Sequence, residues 1–386
     1  MKINRIAVCI FFFVNGFLYA NWTARLPELK QFYQVSDTIL GSLLFTSALG
    51  ALLAMPFAGW LTTKFGTRRV TQVAGILYCL FIPCLAFSNQ LTVTGIAFFG
   101  MGFSVGALDV AMNGQAVFVE RDYQRPIMSS FHAVFSIGMA LGAGVGALFT
   151  KFEFTLLYHF QIMAFLGVCA MLWAAFNLVH DSVKVKTKSE EKSSHFQLPT
   201  QAILPLGLVA FCVMTGEGAM ADWSAMFMNK VVGRDEFFSA FAVGSFGAAM
   251  TIGRIFGDYL TEELGKYKLL IYSSLLSISG MVFVLGYVST STALIGFFLV
   301  GLGLSTVVPI VFSTAGNMEG IEPSVGIAMS TTIGYAGFFV GPPLIGFLSD
   351  EIGLRLALGF VLFLFVIMLL LVLSIYRKEQ RELKNH

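Results

Sequence analysis

Asp109 and Asn113 lie one helical turn apart in a stretch with no other charge, Gly102-x-x-x-Gly106-x-x-Asp109-x-x-x-Asn113. At helical spacing these four positions make one stripe. The glycines admit a close neighbour, and the acid and amide follow as polar groups. A carboxyl in such a setting is suited to bind and release a proton, or to be held structurally by neighbouring backbone. Glu217, in Thr215-Gly216-Glu217-Gly218, is the second candidate for proton coupling. Its flanking glycines also fit a locally unwound helix that the carboxylate satisfies. Asp222 is five residues further on, about 140° around a helix, which suits capping or gating more than substrate contact. Arg254 and Asp258 stand at i and i+4, a spacing that permits a salt bridge, and they read as a structural or gating pair. Asn15, Tyr19 and Trp22 form another stripe. An aromatic ring can stack on a sugar while an amide bonds its hydroxyls. Trp22 and Trp223 fit anchoring at the membrane interface at least as well. His132, on one face with Ser129 and Ser136, is a packing residue or a proton relay. Asn15, Tyr19, Asn113 and His132 are the candidate cavity residues.

The elements that carry these residues are set by composition. The chain has 386 residues, 56% hydrophobic and only 12% charged. Soluble chains carry about 25% charged residues, so a soluble fold of this size is excluded. A spanning helix needs about 20 apolar residues. Charge-free stretches such as 6–24, 38–63, 126–150, 154–180, 323–349 and 356–376 each fit one span. The longer runs 70–108 and 269–318 break at Ser88-Asn89-Gln90 and Ser289-Thr290-Ser291-Thr292 into two each. Residues 201–226 and 237–261 add two spans with isolated charges, for twelve in all. Alternating short segments are missing, so a barrel is excluded. The expectation is an all-α integral membrane protein with twelve transmembrane helices.

Lys and Arg set the orientation. With the N-terminus inside, most of the 24 fall on the cytoplasmic side, among them Lys2, Arg5, Lys64, Arg68, Arg69 and the cluster Lys184–Lys192. Both termini are therefore expected in the cytoplasm. Lys2 and Arg5 before an apolar run resemble a signal peptide, but the run is long and the rest is itself membranous, which fits a first uncleaved helix. The polar stretch 181–200 reads as a solvated cytoplasmic linker between an N-terminal bundle, 1–180, and a C-terminal bundle, 201–386.

The two halves repeat one another. Ala20-Asn21-Trp22-Thr23-Ala24 matches Ala221-Asp222-Trp223-Ser224-Ala225, Phe98-Phe99 with Gly102 matches Phe297-Phe298 with Gly301, and Gly59 matches Gly257. Each pair is about 200 residues apart, as a duplicated half requires. Gly146 and Gly346 hint at a finer, three-helix repeat. Between spans two and three stands Gly59-x-x-x-Thr63-Lys64-x-Gly66-x-Arg68-Arg69, and a related pattern, Gly346-x-x-x-Asp350-x-x-Gly353-x-Arg355, follows span eleven.

These motifs resemble the signature of the major facilitator superfamily, with Thr63 in the place of its acid. The resemblance covers the whole chain. It implies two pseudo-symmetric six-helix bundles that rock around a midplane substrate. It also gives gating or structural roles to Gly59, Lys64, Gly66, Arg68, Arg69 and Asp350. Within the superfamily the span-four stripe and the Trp motifs look most like the fucose-permease branch and its bacterial inner-membrane relatives. That branch implies proton-coupled uptake of a sugar-like solute. It places acids in spans one and four, whereas span one here has Asn15 and Asn21 but no acid.

Other classes find little support. The net charge of +2 leaves no nucleic-acid footprint. The 5 Cys lie in apolar runs, without metal-ligand or disulfide spacing. No Walker A sequence points to ATP, and no nucleophile–base constellation points to an enzyme. Gly138-x-x-x-Gly142-x-Gly144-x-Gly146 reads as helix packing, and it lacks the proline of the superfamily's drug-antiporter signature. The expected partners are a small solute, protons and the lipid bilayer, with no cofactor, no nucleic acid and a monomeric state. A proton-coupled exporter and a non-transporting receptor are the alternatives.

Overall fold

Apolar runs too long for a soluble core become helices because lipid offers the backbone no hydrogen-bond partner. A computed structural model describes residues 2–35, 37–180, 201, 203–234 and 236–385. The linker expected at 181–200 lies outside the described residues. The helices run in the order α1 (Lys2–Thr23), α2 (Leu26–Tyr33), α3 (Asp37–Phe65), α4 (Thr67–Cys84), α5 (Leu91–Tyr123), α6 (Met128–Lys151) and α7 (Leu156–Ala175). Then follow α8 (Leu204–Lys230), α9 (Glu236–Leu264), α10 (Lys266–Gly286), α11 (Thr290–Leu304), α12 (Val307–Gly316), α13 (Pro323–Ile352), α14 (Leu354–Ala357) and α15 (Gly359–Asn385). No strand occurs among the described residues.

Among the described residues, ten segments are long and apolar enough to cross a membrane. The helices α4 and α9 complete the expected set; α4 opens on Arg68 and Arg69, and α9 carries Arg254 and Asp258. Exposed side chains include Phe87, Phe165, Trp173, Phe176, Phe347 and Leu356, a surface suited to lipid rather than water. Two details differ from the sequence reading. The tenth span is two helices, α11 and α12, that part at Ser305 and Thr306. Pro309 explains the break, since it has no N–H and crowds the carbonyl of Ser305 four residues back. The short α2 was not expected.

The chain divides into two compact units. The first comprises Met1–Gln124, Phe131–Leu198 and Gly316–Met329; the second comprises Arg125–Ser130, Pro199–Ala315 and Ser330–His386. In the first unit, glycines let backbones touch. A Cβ on Gly102 would lie 1.9 Å from the Ser47 carbonyl oxygen, and one on Gly106 would lie 2.4 Å from that of Ala51. So α5 seats directly on α3, and the glycine half of the Asp109 stripe is spent on packing. Gly138 and Gly142 of α6 approach the Phe13 and Phe17 carbonyls of α1 in the same way, at 2.4 and 2.1 Å. In the second unit Gly280 and Gly296 bring α10 against α11, where a Cβ on either would lie 2.6 Å from the other's carbonyl oxygen.

The finer repeat is visible in the corners. Gly66, Gly265 and Gly353 precede α4, α10 and α14 with φ of 84°, 79° and 82° and ψ of 153°, 148° and 149°. One backbone corner thus recurs before the third helix of three of the four three-helix repeats, in a region open essentially to glycine alone. Gly66→Ala is expected to destabilise the fold by about 1–3 kcal/mol. Thermal unfolding of the purified protein in detergent measures it, and an unchanged midpoint would show that the corner relaxes without cost.

Candidate functional site

In the first unit, α5 delivers the acid–amide pair. Asn113 Nδ2 donates to the Asp109 carbonyl at 2.8 Å and to Asp109 Oδ1 at 3.3 Å. Asn113 is fully buried, Asp109 partly so. The Asn113 Oδ1 has no hydrogen-bond partner among the described residues. A buried acceptor left open in this way costs free energy unless an O–H or N–H donor reaches it. Asn15, on α1, joins this neighbourhood: its Nδ2 contacts Met112 Sδ of α5 at 3.9 Å. Of the sequence candidates, Asp109 and Asn113 touch each other, while Asn15 touches Met112 of the same helix.

The aromatic end of the α1 stripe behaves differently. Tyr19 is 44% exposed, but Trp22 is only 3% exposed, with its ring edge-on to Tyr19 and Phe98, both at 5.9 Å between centroids. Anchoring at the interface needs contact with lipid headgroups, so Trp22 is a packing residue. Its indole nitrogen is buried and interacts with the buried Tyr78 hydroxyl. His132 packs edge-on against Phe12 at 5.4 Å, and its carbonyl accepts from Ser136 Oγ.

In the second unit, α8 runs unbroken from Leu204 to Lys230. Glu217 therefore does not sit in an unwound segment. Its Oε1 accepts from Arg254 Nη2 of α9 at 3.1 Å, with side chains 23% and 9% exposed. The glycines beside Glu217 serve packing: a Cβ on Gly216 would lie 2.5 Å from the Phe365 ring, and one on Gly218 would lie 2.9 Å from Phe338. Asp258, one turn beyond Arg254, accepts from the Ser130 backbone N–H at 3.0 Å through Oδ2. Asp222 is exposed and makes no polar contact with a described residue. The Glu217–Arg254 pair escaped the sequence reading because its members stand on different helices, 37 residues apart. Only their shared isolation in apolar spans marked them.

The signature residues lie at one end of the first unit. Thr63, in the place of the signature's acid, returns its hydroxyl to the Trp60 carbonyl of its own helix at 2.7 Å. Lys64 lies over the rings of Trp60 and Phe65. Arg68 donates to the Ala175 and Phe176 carbonyls at 3.3 and 3.1 Å, capping the C-terminus of α7. Arg69 is exposed. Gly59 faces Ala328, to which a Cβ would approach at 2.7 Å. In the second unit Arg355 repeats the capping role, with Nε 2.9 Å from the Leu285 carbonyl at the end of α10, while Asp350 is exposed.

Comparison with known proteins agrees with this architecture. The family model described as Major Facilitator Superfamily matches residues 8–318. An uncharacterised MFS-type transporter of Yersinia pestis is 36% identical over 358 residues, which is 93% of this chain and 92% of its own length. The quinolone resistance protein NorA of Staphylococcus aureus is 23% identical, with 86% of this chain and 87% of NorA covered. Among solved structures, the MFS transporter FucP in the outward conformation superposes with a TM-score of 0.77 at 15% identity, covering 95% of this chain and 97% of its own.

Proposed function

Because this chain belongs to the major facilitator superfamily, we propose that it carries a sugar-like polar solute across the membrane by alternating access, in symport with protons. At the coarser level it is a multi-pass membrane transporter of a small molecule, not an enzyme. The observation that carries the finer reading is the Asp109–Asn113 pair. It sets an ionisable carboxyl beside a buried amide oxygen that lacks a donor among the described residues. A solute hydroxyl would supply that donor, and Asp109 would supply the proton site. In this reading Asn15 would add a second amide to the site, and the Tyr19 ring, 44% exposed, would stack on an apolar sugar face. A FucP structure described as the Escherichia coli fucose:proton symporter supports the same class.

In this reading both termini and the linker 181–200 face the cytoplasm, residues 1–180 and 201–386 are the two bundles, the membrane is the bacterial inner membrane, and the transporter is monomeric. Asp222, Asp258, Asp350 and the signature residues hold or gate the helices. A second reading, export of a drug or metabolite, rests on the NorA relationship.

The test is the pH outside proteoliposomes on adding a panel of sugars and related polar solutes. Symport predicts alkalinisation with one class of solute; proton-driven extrusion of a loaded compound would favour the exporter. Glu217→Gln, which keeps an acceptor for Arg254 but cannot ionise, is expected to weaken solute affinity or the proton response. Unchanged affinity and accumulation would make Glu217 structural.

A further inference from the structure

Arg25 stands in the short connection between α1 and α2, a position where an arginine would ordinarily reach water. It is instead 1% exposed. We propose that Arg25, Glu28 and His159 form a pH-released latch that holds α2 against the end of the first unit.

Three groups hold the buried guanidinium. Nη1 lies 3.0 Å from His159 Nδ1, Nη2 donates to the Phe154 carbonyl at 2.8 Å, and Nη2 also pairs with Glu28 Oε2. The other Glu28 oxygen accepts from Thr150 Oγ1 at 2.7 Å. Through these bonds the start of α2 is tied to α6, α7 and the turn between them. Its far end is tied to α4, because the Tyr33 hydroxyl donates to the Leu85 carbonyl.

The chemistry of the His159 contact makes it a switch. Guanidinium donates only and stays charged throughout the accessible pH range. His159 Nδ1 must therefore be the acceptor, and the ring's one proton sits on Nε2. A second proton can go only to Nδ1. It would remove the acceptor and set two cations 3.0 Å apart inside a buried cluster. The ring cannot turn away freely, since it stacks on Phe149 with centroids 4.0 Å apart.

The charged groups acting on His159 are Arg25 and Glu28. From α6 it meets Phe149, and Thr150 bonds to Glu28. The α6–α7 turn offers the Phe154 carbonyl, with Lys151 and Glu153 exposed. The C-terminal ends of α1 and α4 carry no charged side chain. Partial burial alone would raise the Glu28 carboxyl. The bonds from Arg25 and Thr150 and the Arg25 charge outweigh it and hold the group below its ordinary 4.5. Glu28 therefore stays ionised at neutral pH. Its contribution is lost only as pH falls through that lowered value. An ordinary structural clamp built on Glu28 alone would behave so; the latch requires His159.

Hydrogen exchange of the full-length protein in detergent, followed by mass spectrometry from pH 8 to pH 4 and corrected for intrinsic rates, tests this. Exchange of the α2 amides is expected to accelerate by about tenfold or more as pH falls, while α4 and α7 change little. His159→Asn keeps an acceptor near the Nδ1 position but cannot titrate. It should remove the step and keep α2 protected throughout. Glu28→Gln should retain a step. Should His159→Asn not fold, Arg25→Gln serves instead: it removes the second cation, so α2 should exchange fast at every pH with no step. A wild-type protein without a step, or a step that survives in His159→Asn or Arg25→Gln, overturns the latch.

Discussion

Glu217→Leu is expected to destabilise the protein by about 3–5 kcal/mol, and Arg254→Met by clearly less, although both remove the same ion pair. The asymmetry follows from what each substitution leaves behind. Without Glu217, the Arg254 guanidinium stays 9% exposed and charged, because arginine does not give up its proton. Without Arg254, Glu217 keeps more access to solvent at 23% exposed, and it can neutralise itself by taking a proton. The double variant removes both charges and should recover part of the loss. Its coupling energy should reach about 1–3 kcal/mol. Thermal unfolding of the four proteins in one detergent gives the cycle. Equal single losses that simply add in the double variant would show that the pair is held for something other than mutual neutralisation. A stable double variant without transport would assign the pair to function rather than to folding.

The fold was legible because the membrane imposes it. Charge-free stretches and breaks such as Ser88-Asn89-Gln90 lie in the sequence in plain order. The duplication showed in Gly59 and Gly257 and in the two Trp motifs. Its finer, three-helix level was only hinted at: related motifs mark Gly66 and Gly353, but the φ near 80° that they share with Gly265 is not visible in the sequence. The Asp109–Asn113 pair could be foreseen because both members sit one turn apart on one helix. The partners of Arg254 could not. Spacing pointed only to Asp258, and the contact of Arg254 with the acid of α8 comes from helix packing. Arg25 was harder still. In sequence it is one positive charge beyond the end of a span, and only the fold of α2 and the α6–α7 turn buries it.

Asp109→Asn is expected to abolish proton-driven accumulation while leaving solute exchange partly intact. Asparagine has almost the same shape and can still bond Asn113, so the α5 stripe and its seat on α3 should survive. What it lacks is a titratable proton. With one proton carried per solute, a gradient of one pH unit is worth about 1.4 kcal/mol and sustains about tenfold accumulation. The variant should bring that ratio down to about one, since nothing then couples the gradient to the solute. Counterflow of labelled solute in preloaded proteoliposomes needs no proton movement and should continue. Three outcomes separate the roles. Accumulation lost with counterflow kept places the proton site at Asp109. Loss of both makes Asp109 part of the solute site or of the packing that shapes it. Wild-type accumulation with its usual pH dependence removes Asp109 from the mechanism and leaves Glu217 as the acid to test, where Arg254 would be the cation released when that carboxyl takes up a proton.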